Sequence, residues 1–290
     1  MARREIKHVP TRFGQIAYEE CGTGPTALFV HGVLLNGHLW RHVVERVADV
    51  RRCFAVDLLG HGATRTPADA DVSITAQAEM LEAFCEALDL VTVDLVANDS
   101  GTAIAQVFAA RHPGRIRTLT LTNGDVHTNF PPEAAGPMMD AARQGLIPAV
   151  GRQMLDDVAI FRSQFGVGYE HPERVSEETA RTYLEPFFAT PDAIKHLERF
   201  ILALDSRHTV AIEPLLRRLE APTLVVWGTG DVFFDVSWAH WLRDTIPGVR
   251  EVVELDGAKL FFPEERPDEL AALLRKHWRA SERTAIAQHA

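Results

Sequence analysis

The chain is poor in cysteine: Cys21, Cys53 and Cys85 are far apart, odd in number and without a C-x-x-C pair. That argues against a disulfide framework and a cysteine zinc site, and fits reduced core thiols in a cytosolic protein. No apolar run approaches the roughly 20 residues of a membrane span. The opening M-A-R-R-E-I-K-H lacks the apolar core of a secretion signal, so the expected location is cytoplasmic with no membrane partner. Blocks of Lys and Arg with interleaved aromatics are also missing, and the formal net charge is −10, which makes nucleic acid a poor partner. There is no repeat and no low-complexity tract. The expected partner is a small-molecule substrate, with no cofactor or metal, acting on a monomer or homodimer.

What is present is an ordinary globular mixture, 46% hydrophobic and 24% charged over 290 residues. That suffices for one large α/β domain with an insertion, or for two smaller domains. Apolar stretches at 6–10, 15–20, 26–30, 53–56, 93–96 and 119–122 read as strands. Helical periodicity covers 39–50, 74–88 with Ser73 as N-cap, and 100–112. Alternating strands and helices predict a mostly parallel sheet with helices on both faces. The rhythm breaks near Val126. From there to Pro214 only helical patterns with breakers occur, and the α/β rhythm returns with a strand at 223–227, a helix at 235–245, a strand at 250–255 and a helix at 266–280. The polar tail from Ser281 reads as frayed. This predicts a core of 1–125 and 215–290 with a helical cap of 126–214, set over the strand ends where open sheets bind ligands.

Residues 93–105 read V-D-L-V-A-N-D-S-G-T-A-I-A. An apolar strand, a sharp turn among small residues and a helix make the shape of a nucleophile elbow, with Asp99 at its tip. A carboxylate with an ordinary pKa of about 3.9 is ionised at pH 7 without help. Its natural target is an alkyl carbon, because attack on an acyl carbon gives a labile anhydride.

Four segments in order, F-V-H-G at 29–32, D-L-L-G-H-G at 57–62, A-N-D-S-G at 97–101 and W-G-T-G-D at 227–231, resemble the α/β-hydrolase superfamily over nearly the whole chain. The Asp elbow is similar to that of haloalkane dehalogenases, fluoroacetate dehalogenases and epoxide hydrolases. The resemblance implies an α/β-hydrolase fold and an ester formed on Asp99, hydrolysed by a His-activated water. It also implies an oxyanion hole from the amides of Val33 and Ser100, and Asp231 at the triad-acid position. His31 and His61 read as loop-fixing residues, with His31 at the edge of the substrate site.

The chain departs from that pattern after its last strand. The family has a histidine seven residues before the Pro of E-x-P; here D-G-A-K-L-F-F-P-E-E-R-P at 256–267 puts Leu260 there, or Lys259 after a one-residue slip. Neither supplies an imidazole. General-base help is worth about 10²–10⁴ in rate, so the second step must be atypical. His127 or Asp125, in N-G-D-V-H at 123–127, is the expected substitute, with His127 as the catalytic candidate. The expected substrate-binding set is His31, Lys259, Leu260, Trp40 and Tyr183. Ser100 stands where dehalogenases carry a halide-holding Trp, and cap Tyr169 and Tyr183 resemble the proton donors of epoxide hydrolases. The expected activity is therefore of epoxide hydrolase or dehalogenase type on a small, largely apolar substrate. A lyase, isomerase or cyclase, or a ligand-binding pseudo-hydrolase, is the alternative.

Overall fold

Among the described residues eight strands form one sheet, in the order β1-β2-β4-β3-β5-β6-β7-β8. The computed structural model describes residues 4–289, with side chains described through Thr284. Met1–Arg3, on which part of the secretion-signal reading rests, lie outside the described residues. The strands are β1 (Ile6–Thr11), β2 (Gly14–Cys21), β3 (Thr26–Val30), β4 (Arg52–Val56), β5 (Val93–Asp99), β6 (Ile116–Gly124), β7 (Thr223–Gly228) and β8 (Val249–Leu255). Only β1–β2 and β2–β4 pair antiparallel; the rest is parallel. Every residue of β5 and β7 is buried. Their burial, and the apolar stretches at 95–97 and 224–227, follow from a position between two helical layers, where no strand face meets water.

Helices α1 (Arg41–Val47), α2 (Ile74–Ala87) and α3 (Ser100–Arg111) follow β3, β4 and β5. Between β6 and β7 the described residues form α4 (Gly136–Arg143), α5 (Ile147–Asp156), α6 (Val158–Gln164), α7 (Glu177–Phe188), α8 (Pro191–Leu202), α9 (Arg207–Val210) and α10 (Glu213–Leu216), and no strand of the sheet. The chain closes with α11 (Ser237–Thr245), α12 (Phe262–Glu265) and α13 (Pro267–His289). One layer pairs α1 with α13, the other α2 with α3. No helix among the described residues is long and apolar enough to cross a membrane.

Two expectations need correction. The helix read at 39–50 starts as a 3₁₀ turn, Gly37–Trp40, because Asn36 accepts from the His38 N–H and Asp57 accepts from the Gly37 N–H at 2.8 Å. The tail read as frayed from Ser281 stays helical to His289. A distant contact holds it: Arg51 donates to Glu282 at 2.7 Å and lies over the Trp278 ring. Ser73 caps α2 as its sequence suggests, accepting from the Ala76 N–H. Cys53 and Cys85 are buried free thiols, and burial pushes both up to about 12.

The chain leaves β3 toward β4 and then returns to β5 on the other side of β3. That is a topological switch point, and Asp99 is the last residue of β5 there.

Candidate active site

Asp99 sits between β5 and α3 with φ 58 and ψ −135. A non-glycine residue in this region is strained by about 1–3 kcal/mol and persists where surrounding structure fixes it. Here the fixing contacts are close. A Cβ on Gly32 would lie 2.2 Å from the Asp99 carboxylate, so only glycine lets the β3 loop approach. The backbone N–H groups of Ser100 and Val33 donate to that carboxylate. Ser100 Oγ beside them is buried and has no hydrogen-bond partner among the described residues.

Asp99 is 5% exposed. Burial first, then the neighbouring charge of Asp231, pushes its carboxyl up to about 7, against the pull of the two amides. The expectation of full ionisation at pH 7 is therefore corrected: burial and the Asp231 charge hold part of Asp99 protonated there. Asp231, beyond β7, is pushed up to about 6 by burial, offset by N–H groups of Phe233 and Phe234, by Asn123 and by the Lys259 charge. Asn123 Nδ2 donates to Asp231 at 2.8 Å, and its Oδ1 accepts from the Gly228 N–H at 2.6 Å. Asn123 thus binds the end of β6 to the end of β7 and orients Asp231. The sequence offered no signal for this beyond its position at a strand end.

Among the residues expected at the site, Val33, Ser100 and Asp231 come together with Asp99. Lys259 is half-buried and acts on Asp231 through its charge; its ammonium has no hydrogen bond or ion pair among the described residues. Leu260 is buried, and its carbonyl accepts from Asn98 Nδ2 at 2.9 Å. Asn98 thereby ties the post-β8 loop to the elbow from the residue before Asp99.

The other expected site residues are committed elsewhere. His127 has φ 48, and this left-handed turn carries its ring away to Glu213, at 3.0 Å, and onto Trp241. Its catalytic assignment is corrected to a tie between β6 and α10. His127→Ala is expected to cost about 1 kcal/mol in urea unfolding and to leave chemistry at Asp99 within a fewfold. A hundredfold loss of rate would return His127 to the site. His31 uses both ring nitrogens on backbone, with Nδ1 at 2.8 Å from the Gly32 carbonyl and Nε2 accepting from the Leu58 N–H at 3.1 Å. It fixes the loop and offers no free nitrogen to a substrate. Trp40 is fully buried against Phe29, a core residue in place of the expected substrate contact.

Tyr183 and Tyr169 donate to Glu264 at 2.7 and 3.2 Å, and Arg41 binds the other Glu264 oxygen at 2.6 Å. Burial, then the Glu264 charge, holds both phenols well above their ordinary range. They stay protonated and spent on Glu264, so Tyr183 is corrected from a substrate contact to a tether of the helical insert. Among the described residues no cluster of three His, Cys, Asp or Glu is placed to hold a metal ion.

Residues 25–266 match a family described as alpha/beta hydrolase fold. The chain is similar to haloalkane dehalogenase 2 of Mycobacterium tuberculosis, with 28% identity over 271 residues and 90% of each chain covered. A haloalkane dehalogenase of Mesorhizobium japonicum is 42% identical over 109 residues, a match spanning 37% of this chain and 35% of that protein. Among solved structures, the haloalkane dehalogenase DbeA from Bradyrhizobium elkani superposes with a TM-score of 0.79 at 25% identity, covering 95% of this chain and 99% of that one.

Proposed function

Because the chain belongs to the alpha/beta hydrolase fold family, we propose that it is a hydrolase of haloalkane dehalogenase type in which Asp99 displaces a leaving group, halide or epoxide oxygen, from an alkyl carbon. The helical insert, 126–214, is its cap. The observation that carries the reading is a strained, desolvated carboxylate at the sheet's switch point, gripped by two backbone amides. A carboxylate stripped of water attacks carbon more readily than a hydrated one, and strain that fixes its direction lowers the entropic cost of attack. Once the alkyl ester forms, the same Val33 and Ser100 amides face its carbonyl oxygen and stabilise the charge that develops when water adds. The names of the relatives favour hydrolysis over the lyase, isomerase, cyclase and pseudo-hydrolase readings.

Incubation with a panel of 1-bromoalkanes and terminal epoxides tests the reading. Intact-mass spectrometry is expected to find a single adduct, and peptide mapping to assign it to Asp99. No adduct and no product across the panel would sink it. The alkylation rate also has a pH signature. The ionised form attacks, and Asp99 titrates near 7 beside Asp231, Asp125 and the Lys259 charge. The rate is expected to rise about tenfold per pH unit below 7 and to level off above it. A rate that is flat from about pH 5 to 8 contradicts the assignment.

A further inference from the structure

We propose that Asp125 is the acid–base partner of Asp99, and that the substrate is an epoxide whose ring oxygen Asp125 protonates. This rests on Asp99 being the nucleophile. In the β5–β6 ladder Asp99 lies opposite Gly124. A Cβ at Gly124 would come within 2.2 Å of the Asp99 carbonyl oxygen, so the missing side chain lets the two strand ends close together. The Asp125 N–H then donates to that same carbonyl at 3.3 Å, and Gln106 Nε2 from α3 holds the Asp125 carbonyl at 2.9 Å. Asp125 is 2% exposed, and its buried Oδ1 has no hydrogen-bond partner among the described residues. The Asp125 backbone is thus fixed against that of Asp99, and its carboxyl lies within reach of the Asp99 charge with an oxygen uncommitted.

Two buried carboxyl groups in one site do not both ionise readily. Burial, then the Asp99 charge, holds Asp125 well above the usual carboxylate range, so Asp125 keeps the proton. A proton there has a use that selects the substrate. Halide leaves as a stable anion and needs none, whereas an epoxide oxygen leaves as an alkoxide and needs one. The tyrosines of the insert cannot give it, since both serve Glu264.

The cycle closes without an imidazole. Asp99 Oδ gives an electron pair to a ring carbon, that carbon–oxygen bond breaks, and the oxygen takes the Asp125 proton. The products are a hydroxyalkyl ester on Asp99 and an Asp125 carboxylate. Asp125 then accepts a proton from water as the water oxygen bonds to the ester carbon. Collapse of the tetrahedral adduct expels the diol oxygen, which takes one of the two protons now on the carboxyl pair. The pair ends with the single proton it began with, and epoxide plus water has become diol.

Styrene oxide and 1-bromobutane separate the two steps. The wild-type protein is expected to convert styrene oxide to its diol. Asp125→Asn is expected to take the butyl group onto Asp99 as a persistent ester and to lose diol formation by about 10²–10⁴-fold. Asp125→Glu is expected to recover tenfold or more of that loss. The wild type alone gives a second measurement: its diol formation falls as rising pH takes the proton from Asp125, while alkylation by 1-bromobutane does not. Asp125→Asn turning over both probes at the wild-type rate, or a wild type without that fall, overturns the role of Asp125 and leaves Asp99 as nucleophile. Asp99→Asn retaining wild-type turnover, or a wild type that yields neither adduct nor diol, removes the nucleophile reading and this proposal with it.

Discussion

Asp99→Asn is expected to form no covalent adduct and to lose product formation by about 10⁴-fold or more, the scale seen when a nucleophile is deleted. It is also expected to unfold at a higher temperature than its parent at pH 9. The two effects share a cause. Asp99 is held in a strained backbone conformation and desolvated beside Asp231 and Asp125, which suits attack and costs stability. In the unfolded chain its carboxyl loses the proton near the ordinary value of about 3.9; in the folded protein it keeps it up to about 7. Between those values the folded state binds more protons, so stability falls as pH rises from about 4 to 7 and stays lowered above. The amide has no such slope. The variant is therefore expected to gain about 2–4 kcal/mol at pH 9, shrinking toward zero at pH 4. Urea unfolding at the two pH values measures this. An equal gap at both would mean that the charge at Asp99 is not what strains the fold.

Glu264→Ala is expected to destabilise the protein by about 3–5 kcal/mol, the usual cost of removing one partner from a buried ion pair. Its side chain is 9% exposed and accepts from Arg41, Tyr169 and Tyr183. Removal strands a half-buried guanidinium and two buried phenols at once. The loss concentrates where the insert meets the sheet domain, because Tyr169 and Tyr183 belong to the insert while Arg41 and Glu264 belong to α1 and α12. Neighbouring ties run the same way: Glu265 accepts from the N–H groups of Glu170 and His171 at 2.7 and 2.8 Å, and the Phe261 N–H donates to the Gly168 carbonyl at 2.9 Å. Glu264→Gln keeps an acceptor for one phenol and is expected to cost about half as much. Chemical denaturation distinguishes the two, and a loss below about 1 kcal/mol for Glu264→Ala would show that the cluster is a surface-like pair contributing little.

Much of the framework was legible in the sequence because it is local. Strand β3 spans the expected residues, and β5, β6, β7 and β8 extend the expected runs by one to three residues at an end. Asp99 was legible because small residues around a polar tip have few uses other than an elbow. The amides of Val33 and Ser100 came from the resemblance, and both donate to the Asp99 carboxylate. His127 departs from its expected role because of its backbone. Spacing places polar residues after β6, but backbone contacts hold Asp125 near Asp99, while the left-handed turn at 127 sends the imidazole to Glu213.

The segment 256–267 shows the division most clearly. Sequence determined that no imidazole stands within 256–267, which raised the expectation of another route for the second step. Tertiary structure decided what the segment does instead. Leu260 is buried with its carbonyl on Asn98, and Glu264 and Glu265 bind the insert. Sequence likewise fixed Asp99 as a carboxylate at the elbow, through its place between strand and helix. It could not tell that this carboxylate titrates near 7, because a pKa is set by desolvation and by charges brought close from other strands. Covalent neighbours determine where a side chain can start; only packing decides which partners, and how little water, it finds there.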